Sequence, residues 1–282
     1  MTYRSAVAAL ATMHNKARAI ARPLHVATGL TVRVTHGLDT DALGTFTGER
    51  PRVDDARTTA VDKARRGMVF TGLPIGLASE GTFGPHPVVP FVTAGYELLA
   101  FVDDVQGFTL VESRVSTLTN HAALERDDDE VPRAFLERTG FPSHALIVRP
   151  RHAAPGEALT KGVRDLGTLQ HALARARAVS SDGVAMVETD MRAHQNPTRM
   201  REIGALAVQL ARRLACPCPA CATPGFGRVG TIEGLPCAWC GSPTPLVREE
   251  RWGCVRCAHE TTRPRADGRR AADPGECPRC NP

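Results

Sequence analysis

Short apolar runs in the first third of the chain predict buried strands. Residues 6–11 form one such run, and residues 30–34 alternate between apolar and polar side chains. A third run, residues 75–78, ends at Glu80 and the glycine that follows it. Short runs bounded by glycine, proline or polar residues are typical of strands rather than helices. We therefore expect three strands in this part of the chain.

Capping residues predict the helices. Pro23 is interpreted as the first residue of a short helix, since a proline interrupts a longer one. Asp54 or Asp55 is placed to cap a helix over the following residues. Later, Asn196 caps a helix that Pro197 opens. The apolar positions of this late helix recur at helical spacing, at Met200, Ile203, Leu206, Leu210 and Leu214. The alternation predicts an α/β protein with a mixed twisted sheet.

The composition is that of a globular protein, with 42% hydrophobic and 5% aromatic residues among 282. No stretch reaches the roughly 20 apolar residues that a membrane span requires. The apolar run near the N-terminus is short and passes directly into charged residues, so we interpret it as a strand rather than a signal peptide. We expect a cytoplasmic protein without a membrane partner. The length allows a large domain, residues 1–214, and a small one, residues 215–282.

All nine cysteines lie after Ala215, and eight of them form four C-x-x-C pairs. Each pair places two thiolates on one tight turn, and two such turns supply the four sulfur ligands that zinc favours. A disulfide framework is the alternative, but repeated C-x-x-C pairs without a secretion signal argue against it. We expect two structural zinc ions in a small C-terminal double zinc ribbon. The predicted ligands are Cys218, Cys221, Cys237, Cys240, Cys254, Cys257, Cys277 and Cys280.

Two ways of combining these pairs stay open at this point. The segment "CAWCGSPTPLVREERWGCVRC", residues 237–257, resembles a zinc ribbon by itself, which would join the second pair to the third and the first to the fourth. A sequential arrangement would join the first pair to the second and the third to the fourth. Cys216 belongs to none of the pairs, and we expect it to be a free thiol.

The charge balance argues against nucleic acid as a partner. The whole chain carries a formal charge of +5, and the part from Cys216 onward has nine arginines and seven acidic residues. Two zinc ions, each with four thiolates, would bring this part to about −2. Such a module binds phosphate poorly unless its arginines segregate to one face. We therefore expect a structural module, with a protein partner as its other role.

Lysine is scarce, since the chain contains three lysines and 32 arginines. Lys16 comes directly after the predicted first strand, at the edge where open α/β sheets bind ligands. The compact ammonium group of lysine suits contact with a phosphate. Thr12, His14 and Asn15 lie in the same turn. An exposed surface lysine is the alternative interpretation.

A resemblance to a known family follows from the order of several segments. These are "ATMHNK", a glycine-rich loop, an acid-led helix containing "KAR", and then "TGLPIGLASEG". Together they resemble the inosine/xanthosine triphosphate pyrophosphatase superfamily over about residues 6–104. The later segment "DMRAHQNPTRMREIGALAVQL" resembles the step before that family's late helix. The chain as a whole, with its zinc tail, also resembles a bacterial family known only as a domain of unknown function.

The first resemblance implies a fold and a binding site. The fold would be the mixed sheet with helices of an inosine triphosphate pyrophosphatase. Lys16 would contact a triphosphate, with Thr12, His14 and Asn15 around it. The residues that would reach the base or a phosphate from the late segment are Arg192, His194 and Arg199.

The resemblance also implies a magnesium ion held by carboxylates. Its ligands would be Asp54, Asp55 and Glu80, with Asp55 and Glu80 as the catalytic residues. The helix glutamate of the family aligns with Thr58, so the acid role falls to one of the two aspartates. The other aspartate is expected to act as the helix cap.

Two functions follow from these observations. The first is magnesium-dependent hydrolysis of a nucleoside triphosphate, which releases pyrophosphate. The alternative is a non-catalytic protein that binds a nucleotide or a partner. Thr58 favours the second function, and the combination of Lys16, Asp55 and Glu80 favours the first. Of the two, we expect the enzyme. Residues 113–181 contain no motif that bears on the choice.

Overall fold

The computed structural model describes residues 2–38, 55–154 and 156–282. We call the described residues up to 214 the body and residues 215–282 the tail. The helices are α1 (Ala17–Thr28), α2 (Ala56–Thr71), α3 (Arg133–Thr139), α4 (Leu166–Val179) and α5 (Pro197–Leu214). The strands of the body are β1 (Val7–Ala11), β2 (Thr31–Val34), β3 (Ile75–Pro85), β4 (Thr93–Asp103), β5 (Phe108–Ser116), β6 (Ala123–Arg126), β7 (Leu146–Pro150), β8 (Thr160–Val163) and β9 (Ala185–Thr189). The strands of the tail are β10 (Gly227–Glu233), β11 (Val247–Gly253) and β12 (Glu260–Pro264).

The first sheet has the order β2-β1-β3-β4-β5. β1 runs parallel to both β2 and β3, and the remaining strands are antiparallel. Pairing between β1 and β3 ends with Ala11 opposite Ala78. β3 continues for seven residues beyond this point, paired with β4 alone. The carboxyl end of β1 therefore opens beside a longer hairpin, and the candidate site lies there.

Helices cover both faces of this sheet. Side chains alternate along a strand, and Leu77 belongs to the core cluster that includes Leu24 of α1 and Leu210 of α5. Its neighbour Ala78 belongs to the cluster that includes Ala64 of α2. The alternation places α1 and α5 on one face and α2 on the other. Consecutive residues of β3 consequently meet different helices.

The second sheet has the order β6-β9-β7-β8, with all neighbours antiparallel. α4 packs on it through Leu169 and Leu173, which share a core cluster with Leu146 and Val187. A short 3-10 turn at Ala193–Gln195 joins β9 to α5. The second sheet thus leads directly back to the first, next to the end of β1.

The tail is an antiparallel sheet of β10, β11 and β12 that packs against the body. Arg213, near the end of α5, donates a hydrogen bond from Nε to the carbonyl oxygen of Gly225 at 3.0 Å. Arg213 also forms an ion pair with Glu112 of β5. Val255 packs against the core of the first sheet. The tail is therefore fixed to the body through α5 and β5.

The structure confirms the predicted α/β class and several local predictions. Asp55 caps α2, and its side chain accepts hydrogen bonds from the backbone of Arg57 and Thr58. Asn196 caps α5, which begins at Pro197. Asp54 lies outside the described residues. The likeness to the pyrophosphatase fold is not confirmed, and the domain boundary after residue 214 stays a prediction.

Two local predictions are wrong. α1 continues through Pro23 instead of restarting there. Its packing against α5 through Ile20 and Leu24 stabilises the helix despite the missing N–H group, because tertiary packing supplies most of the stability of short helices. Glu80 does not end a strand, since β3 extends to Pro85 through its pairing with β4.

Within residues 2–38, 55–154 and 156–282, none of the helices is long and apolar enough to cross a lipid bilayer.

Candidate functional site

The turn between β1 and α1 places Lys16 inside the protein. Asn15 has a left-handed backbone with φ of 55°, which asparagine tolerates better than most residues. This conformation sets Lys16 at the N-cap position of α1. The side chain is buried, and its Nζ donates a hydrogen bond to the carbonyl oxygen of Ser79 at 2.8 Å. The interpretation of Lys16 as an exposed surface residue is therefore wrong.

A second buried lysine approaches the next residue of β3 from the other face of the sheet. Lys63 lies at the middle of α2, and its Nζ is 2.6 Å from Oε1 of Glu80. Both side chains are less than a tenth exposed. Because side chains alternate, Ser79 faces α1 and α5 while Glu80 faces α2. Two of the three lysines of the chain thus contact adjacent residues of one strand.

A third buried cation, Arg199, lies beside the same strand. The cap formed by Asn196 holds Arg199 in the first turn of α5. Its Nε donates a hydrogen bond to Oε1 of Glu97 at 2.6 Å, and both side chains are almost fully buried. The guanidinium group also lies over the ring of Phe83, 5.1 Å from its centroid. It further donates to the carbonyl oxygen of Met191.

Gly81 leaves the space that this ion pair occupies. Gly81 pairs with Glu97 in the β3–β4 register and therefore faces α5. A Cβ atom at this position would lie 2.7 Å from Nη2 of Arg199 and 2.7 Å from each carboxylate oxygen of Glu97. Side chains do not approach so closely, so the ion pair requires glycine here.

Two histidines stack next to these charges. The rings of His14 and His194 are 5.2 Å apart with an interplanar angle of 23°. Burial, together with the charges of the nearby Lys16 and Arg199, lowers the pKa of His14 to about 3. Burial likewise lowers the pKa of His194, with Arg192 adding to the effect. His14 is consequently neutral at physiological pH.

We define the charge cluster as Lys16, Lys63, Glu80, Glu97 and Arg199, all of which are buried. Burial lowers the pKa of Lys16 to about 8, and Arg199 contributes to the shift, while Glu80 and Glu97 oppose it. The cluster contains three cations and two carboxylates, so its net charge is positive. Within the described part of the chain, the buried Ser79 Oγ has no hydrogen-bond partner.

Packing alone does not account for this arrangement. Buried ion pairs cost desolvation energy and often stabilise a fold no better than apolar residues of similar volume. Clusters of buried titratable groups at a sheet edge are instead typical of binding sites. The positive balance and the hydroxyl of Ser79 suit an anionic group with several oxygen acceptors, such as a phosphate.

The structure brings several of the predicted site residues together. Thr12 Oγ1 accepts a hydrogen bond from the backbone N–H of His14 at 3.3 Å. His194 lies against His14, and Arg192 forms an ion pair with the buried Asp190. These predicted site residues lie around the end of β1, as do Asn15, Lys16, Glu80 and Arg199. Their roles in binding and catalysis stay predictions.

Asp55 does not join them. It is exposed at the start of α2, where Oδ2 accepts a hydrogen bond from Thr58 Oγ1 at 2.7 Å in addition to the two backbone N–H groups. These bonds lower its pKa, the hydroxyl of Thr58 most of all. Lys63 is eight residues further along α2, about 12 Å by helical rise. The position of Asp55 is explained by the helix cap.

The described residues include no group of three carboxylate or histidine ligands for magnesium. Among them, the groups of three or more His, Cys, Asp or Glu ligand atoms close enough to share one ion are both made of cysteines. Glu80 and Glu97 are each engaged by a cation. Since magnesium is held by carboxylates together with phosphate oxygens and water, this arrangement does not support a resident ion.

Lys63 and Glu97 are members of the cluster that the sequence analysis did not identify. Lys63 is one of three lysines in an arginine-rich chain, which is the same signal that identified Lys16. Glu97 is the one charged residue in "YELLAFV", an otherwise apolar stretch of β4. A lone carboxylate among residues that pack into a core is a recognisable signal for a buried ion pair.

The tail brings its eight paired cysteines into two groups of four. The groups are Cys218, Cys221, Cys254 and Cys257, and then Cys237, Cys240, Cys277 and Cys280. Within each group the ligand atoms lie within 4.8 Å of one another. Sulfur atoms from different pairs are 3.7–3.9 Å apart. Four sulfurs around zinc at about 2.3 Å would be separated by about 3.8 Å. Both groups are therefore compatible with zinc sites, and Cys216 belongs to neither.

The four C-x-x-C pairs are interleaved along the chain. The first pair shares a group with the third, and the second shares a group with the fourth. Both combinations expected from the sequence are wrong. The reason is the register of the tail sheet, in which Gly227 at the start of β10 lies opposite Gly253 at the end of β11. The first and third pairs flank this end of the sheet. The second pair follows β10 and the fourth follows β12, so both lie at the opposite end.

Hydrogen bonds shift the pKa values of individual cysteine thiols in the tail. Hydrogen bonding with the side chain and the backbone of Thr223 lowers the pKa of Cys221 to about 6, and hydrogen bonding with Ser242 does the same for Cys240. The neighbouring Cys240 raises the pKa of Cys280 to about 12. Four thiolates without a cation would repel each other, whereas a zinc ion would stabilise all four.

The fold and these sites define an α/β protein with a buried charge cluster and two groups of four cysteines in its tail. Residues 63–282 match the family described as Domain of unknown function (DUF6671), and the chain belongs to this family. The match begins at Lys63 and includes Glu80, Glu97, Arg199 and all the cysteines, while Lys16 lies before it. Among curated proteins and solved structures, nothing matches the chain. The resemblance to the pyrophosphatase superfamily is not confirmed by these comparisons.

Proposed function

We propose that the protein binds a nucleotide through its phosphate groups at the charge cluster, and that the tail holds two structural zinc ions. One observation carries the first proposal. Lys16 and Lys63, two of three lysines, approach the adjacent residues Ser79 and Glu80 from opposite faces of the sheet, just beyond the end of β1. Parallel strands of open α/β sheets bind ligands at this edge.

The chemistry of the cluster supports a phosphate ligand. A phosphate would balance the excess positive charge of Lys16, Lys63 and Arg199 over the two glutamates. It would also accept a hydrogen bond from Ser79 Oγ, which has no partner among the described residues. Lysine is preferred over arginine where a compact point charge must fit against a phosphate in a confined space.

The stacked histidines support a nucleotide rather than a simple phosphate. The His14–His194 stack lies next to Lys16, and its His14 ring is uncharged at physiological pH. Arg192, held by Asp190, adds a planar hydrogen-bond donor group. Flat rings and a guanidinium group beside a phosphate site suit a base attached to the phosphate through a sugar.

The second candidate is hydrolysis of a nucleoside triphosphate at the α–β linkage. The buried carboxylate of Glu80 favours it, because a carboxylate beside two ammonium groups is placed to accept a proton from an attacking water. The described residues offer magnesium no group of three carboxylate or histidine ligands. Hydrolysis therefore depends on Glu80 and on the cations around the phosphates.

Titration calorimetry tests the binding proposal with the full-length zinc-loaded protein and a panel of nucleoside triphosphates. We expect binding by the wild type, and at least tenfold weaker binding after Lys16→Met. Lys161→Met is the matched control, since it removes the third lysine of the chain. Lys161 lies in β8 and is only partly buried. Equal affinity of all three proteins, or no binding by any, would rule out the proposal. A pyrophosphate-release assay on the same samples decides between binding alone and hydrolysis.

A further inference from the structure

A cleft of about 920 Å³ lies between the body and the tail, at the far end of α5 from the charge cluster. Its walls come from the exposed side of α5, from β5 and from the strands of the tail. We call it the junction cleft, and the residues that matter in it are Arg114, Arg212, Arg213, Arg228, Trp252 and Arg263. Arg199 and Arg213 are fourteen residues apart in α5, about 21 Å by helical rise. The cleft is thus separate from the proposed nucleotide site.

The cleft is strongly basic. Five arginines line it, and Glu112 is the one carboxylate among its lining residues. Glu112 is already engaged by Arg213. Arg212 is exposed, and neither it nor Arg263 forms an ion pair with another described residue. Arg114 and Arg228 are paired with Glu202 and Glu250, which do not line the cleft. The excess positive charge of the lining therefore comes from Arg212 and Arg263.

The arginines come from both parts of the chain. Three lie on the body and two on the tail, so the cleft exists only in the assembled protein. Several acidic residues of the tail are occupied elsewhere in local ion pairs, such as Asp267 with Arg265 and Glu276 with Arg269. These acidic residues lie outside the cleft, so they do not line the same surface as its arginines. Two of the nine arginines of the tail, Arg228 and Arg263, line the cleft together with three arginines of the body. Arginines gathered on one surface supply the positive potential that phosphate binding needs.

An aromatic platform lies in the same cleft. The guanidinium group of Arg263 lies 3.9 Å from the centroid of the Trp252 ring. Phe226 lies beside the indole, with ring centroids 6.2 Å apart, and its ring is also 5.8 Å from the Arg263 guanidinium. Trp252 is held in place further by a hydrogen bond from Nε1 to Glu250. This stack presents a flat, cationic surface next to the other arginines.

We propose that the junction cleft binds single-stranded nucleic acid. Arginines along a groove contact successive phosphates, and unpaired bases stack on aromatic rings and on guanidinium planes. The cleft supplies both features, with Arg212 and Arg114 on one wall and the Arg263–Trp252 stack on the other. An acidic peptide would use the arginines but would leave the flat stack without a planar partner, which is why the single strand is favoured.

The experiment uses full-length zinc-loaded protein carrying Trp239→Phe, which leaves Trp252 as the one tryptophan of the chain. A fluorescently labelled single-stranded RNA of twelve nucleotides, and the DNA of the same sequence, are titrated by anisotropy at several salt concentrations. Unlabelled RNA is titrated against Trp252 fluorescence. We expect binding that weakens steeply with salt and a change in Trp252 fluorescence with the same dissociation constant.

Three substitutions assign the binding to the cleft. Arg212→Gln and Arg263→Gln should each weaken binding by about three- to tenfold, and each should reduce the slope of log affinity against log salt by about 0.7. Arg270→Gln is the control, because Arg270 is an exposed arginine of the tail outside the cleft. It should bind as the parent protein does. Zinc content and melting temperature, measured on each variant, should be unchanged.

Several results would overturn the proposal. These are no measurable binding, binding without a response of Trp252, or equal losses in the Arg270 variant and the cleft variants. A labelled poly-glutamate peptide serves as the competing probe. If it binds with the same sensitivity to Arg212→Gln while the oligonucleotides do not bind, the cleft accepts an acidic protein segment instead, and the nucleic-acid proposal fails.

Discussion

Lys63 and Glu80 form a buried ion pair, with Nζ of the lysine 2.6 Å from Oε1 of the glutamate. The pair joins α2 to the part of β3 that extends past β1. It explains how a glutamate is accommodated in a strand with apolar neighbours. It also changes what a substitution of Glu80 is expected to do.

Glu80→Gln should destabilise the protein, because it leaves the Lys63 ammonium buried without its counter-charge. Breaking a buried pair in this way typically costs about 3–5 kcal/mol. Replacing both partners, with Lys63→Met and Glu80→Leu, should recover most of the loss, since apolar pairs often replace buried ion pairs without penalty. Denaturant unfolding of the three proteins measures the effect. Unchanged stability of the single variant would show that the pair does not hold α2 on the sheet.

Gly81→Ala should disrupt the second ion pair of the cluster. The added Cβ would lie 2.7 Å from both Arg199 and Glu97, so the two side chains must move. Overpacking of this kind typically costs about 1–3 kcal/mol. The control is Gly84→Ala, three residues further along β3, where a Cβ meets no atom within 4 Å. Thermal melts should separate the two variants, and equal melting temperatures would contradict the close approach at Gly81.

The interleaved cysteine groups predict the outcome of double substitutions. Cys237→Ser with Cys277→Ser removes two ligands of one site and should leave one zinc ion per chain. Cys218→Ser with Cys237→Ser removes one ligand from each site and should lose both ions. Elemental analysis of protein prepared without chelator gives the counts. Loss of both ions from the first variant would contradict the interleaving and restore one of the combinations expected from the sequence.

Local patterns were enough to predict much of the first sheet. The apolar runs gave β1, β2 and the start of β3, and the caps at Asp55 and Asn196 are those of α2 and α5. These features depend on neighbours within a few residues. The second sheet was not predicted, because residues 113–181 contain short strands that pair over long distances without a distinctive motif.

The partners of the charged residues could not be predicted for a similar reason. Lys16 was identified by its rarity, but its contact with Ser79 depends on the parallel pairing of β1 and β3. Glu97 meets Arg199 only because α5 returns to the first sheet after the second one. The combination of the cysteine pairs was likewise fixed by the register of β10 and β11 rather than by spacing along the chain.

The most direct test of the nucleotide site is the pH dependence of nucleotide affinity. The pKa of Lys16 is lowered to about 8 in the folded protein, and a bound phosphate would stabilise the ammonium form and raise this pKa. The protein would therefore take up a proton on binding above pH 8, so affinity should fall as pH rises from about 8 to 10. The phosphates of the ligand do not contribute, because they are fully ionised in this range.

Calorimetric titrations with the triphosphate that binds best, at intervals from pH 7 to 10, provide the measurement. Circular dichroism at each pH confirms that the protein stays folded. The account predicts a fall of about tenfold or more for the wild type and for Lys161→Met, beginning near pH 8, and a weak, nearly flat profile for Lys16→Met. A flat profile for the wild type, or the same fall in the Lys16 variant, would contradict the claim that Lys16 contacts a bound phosphate.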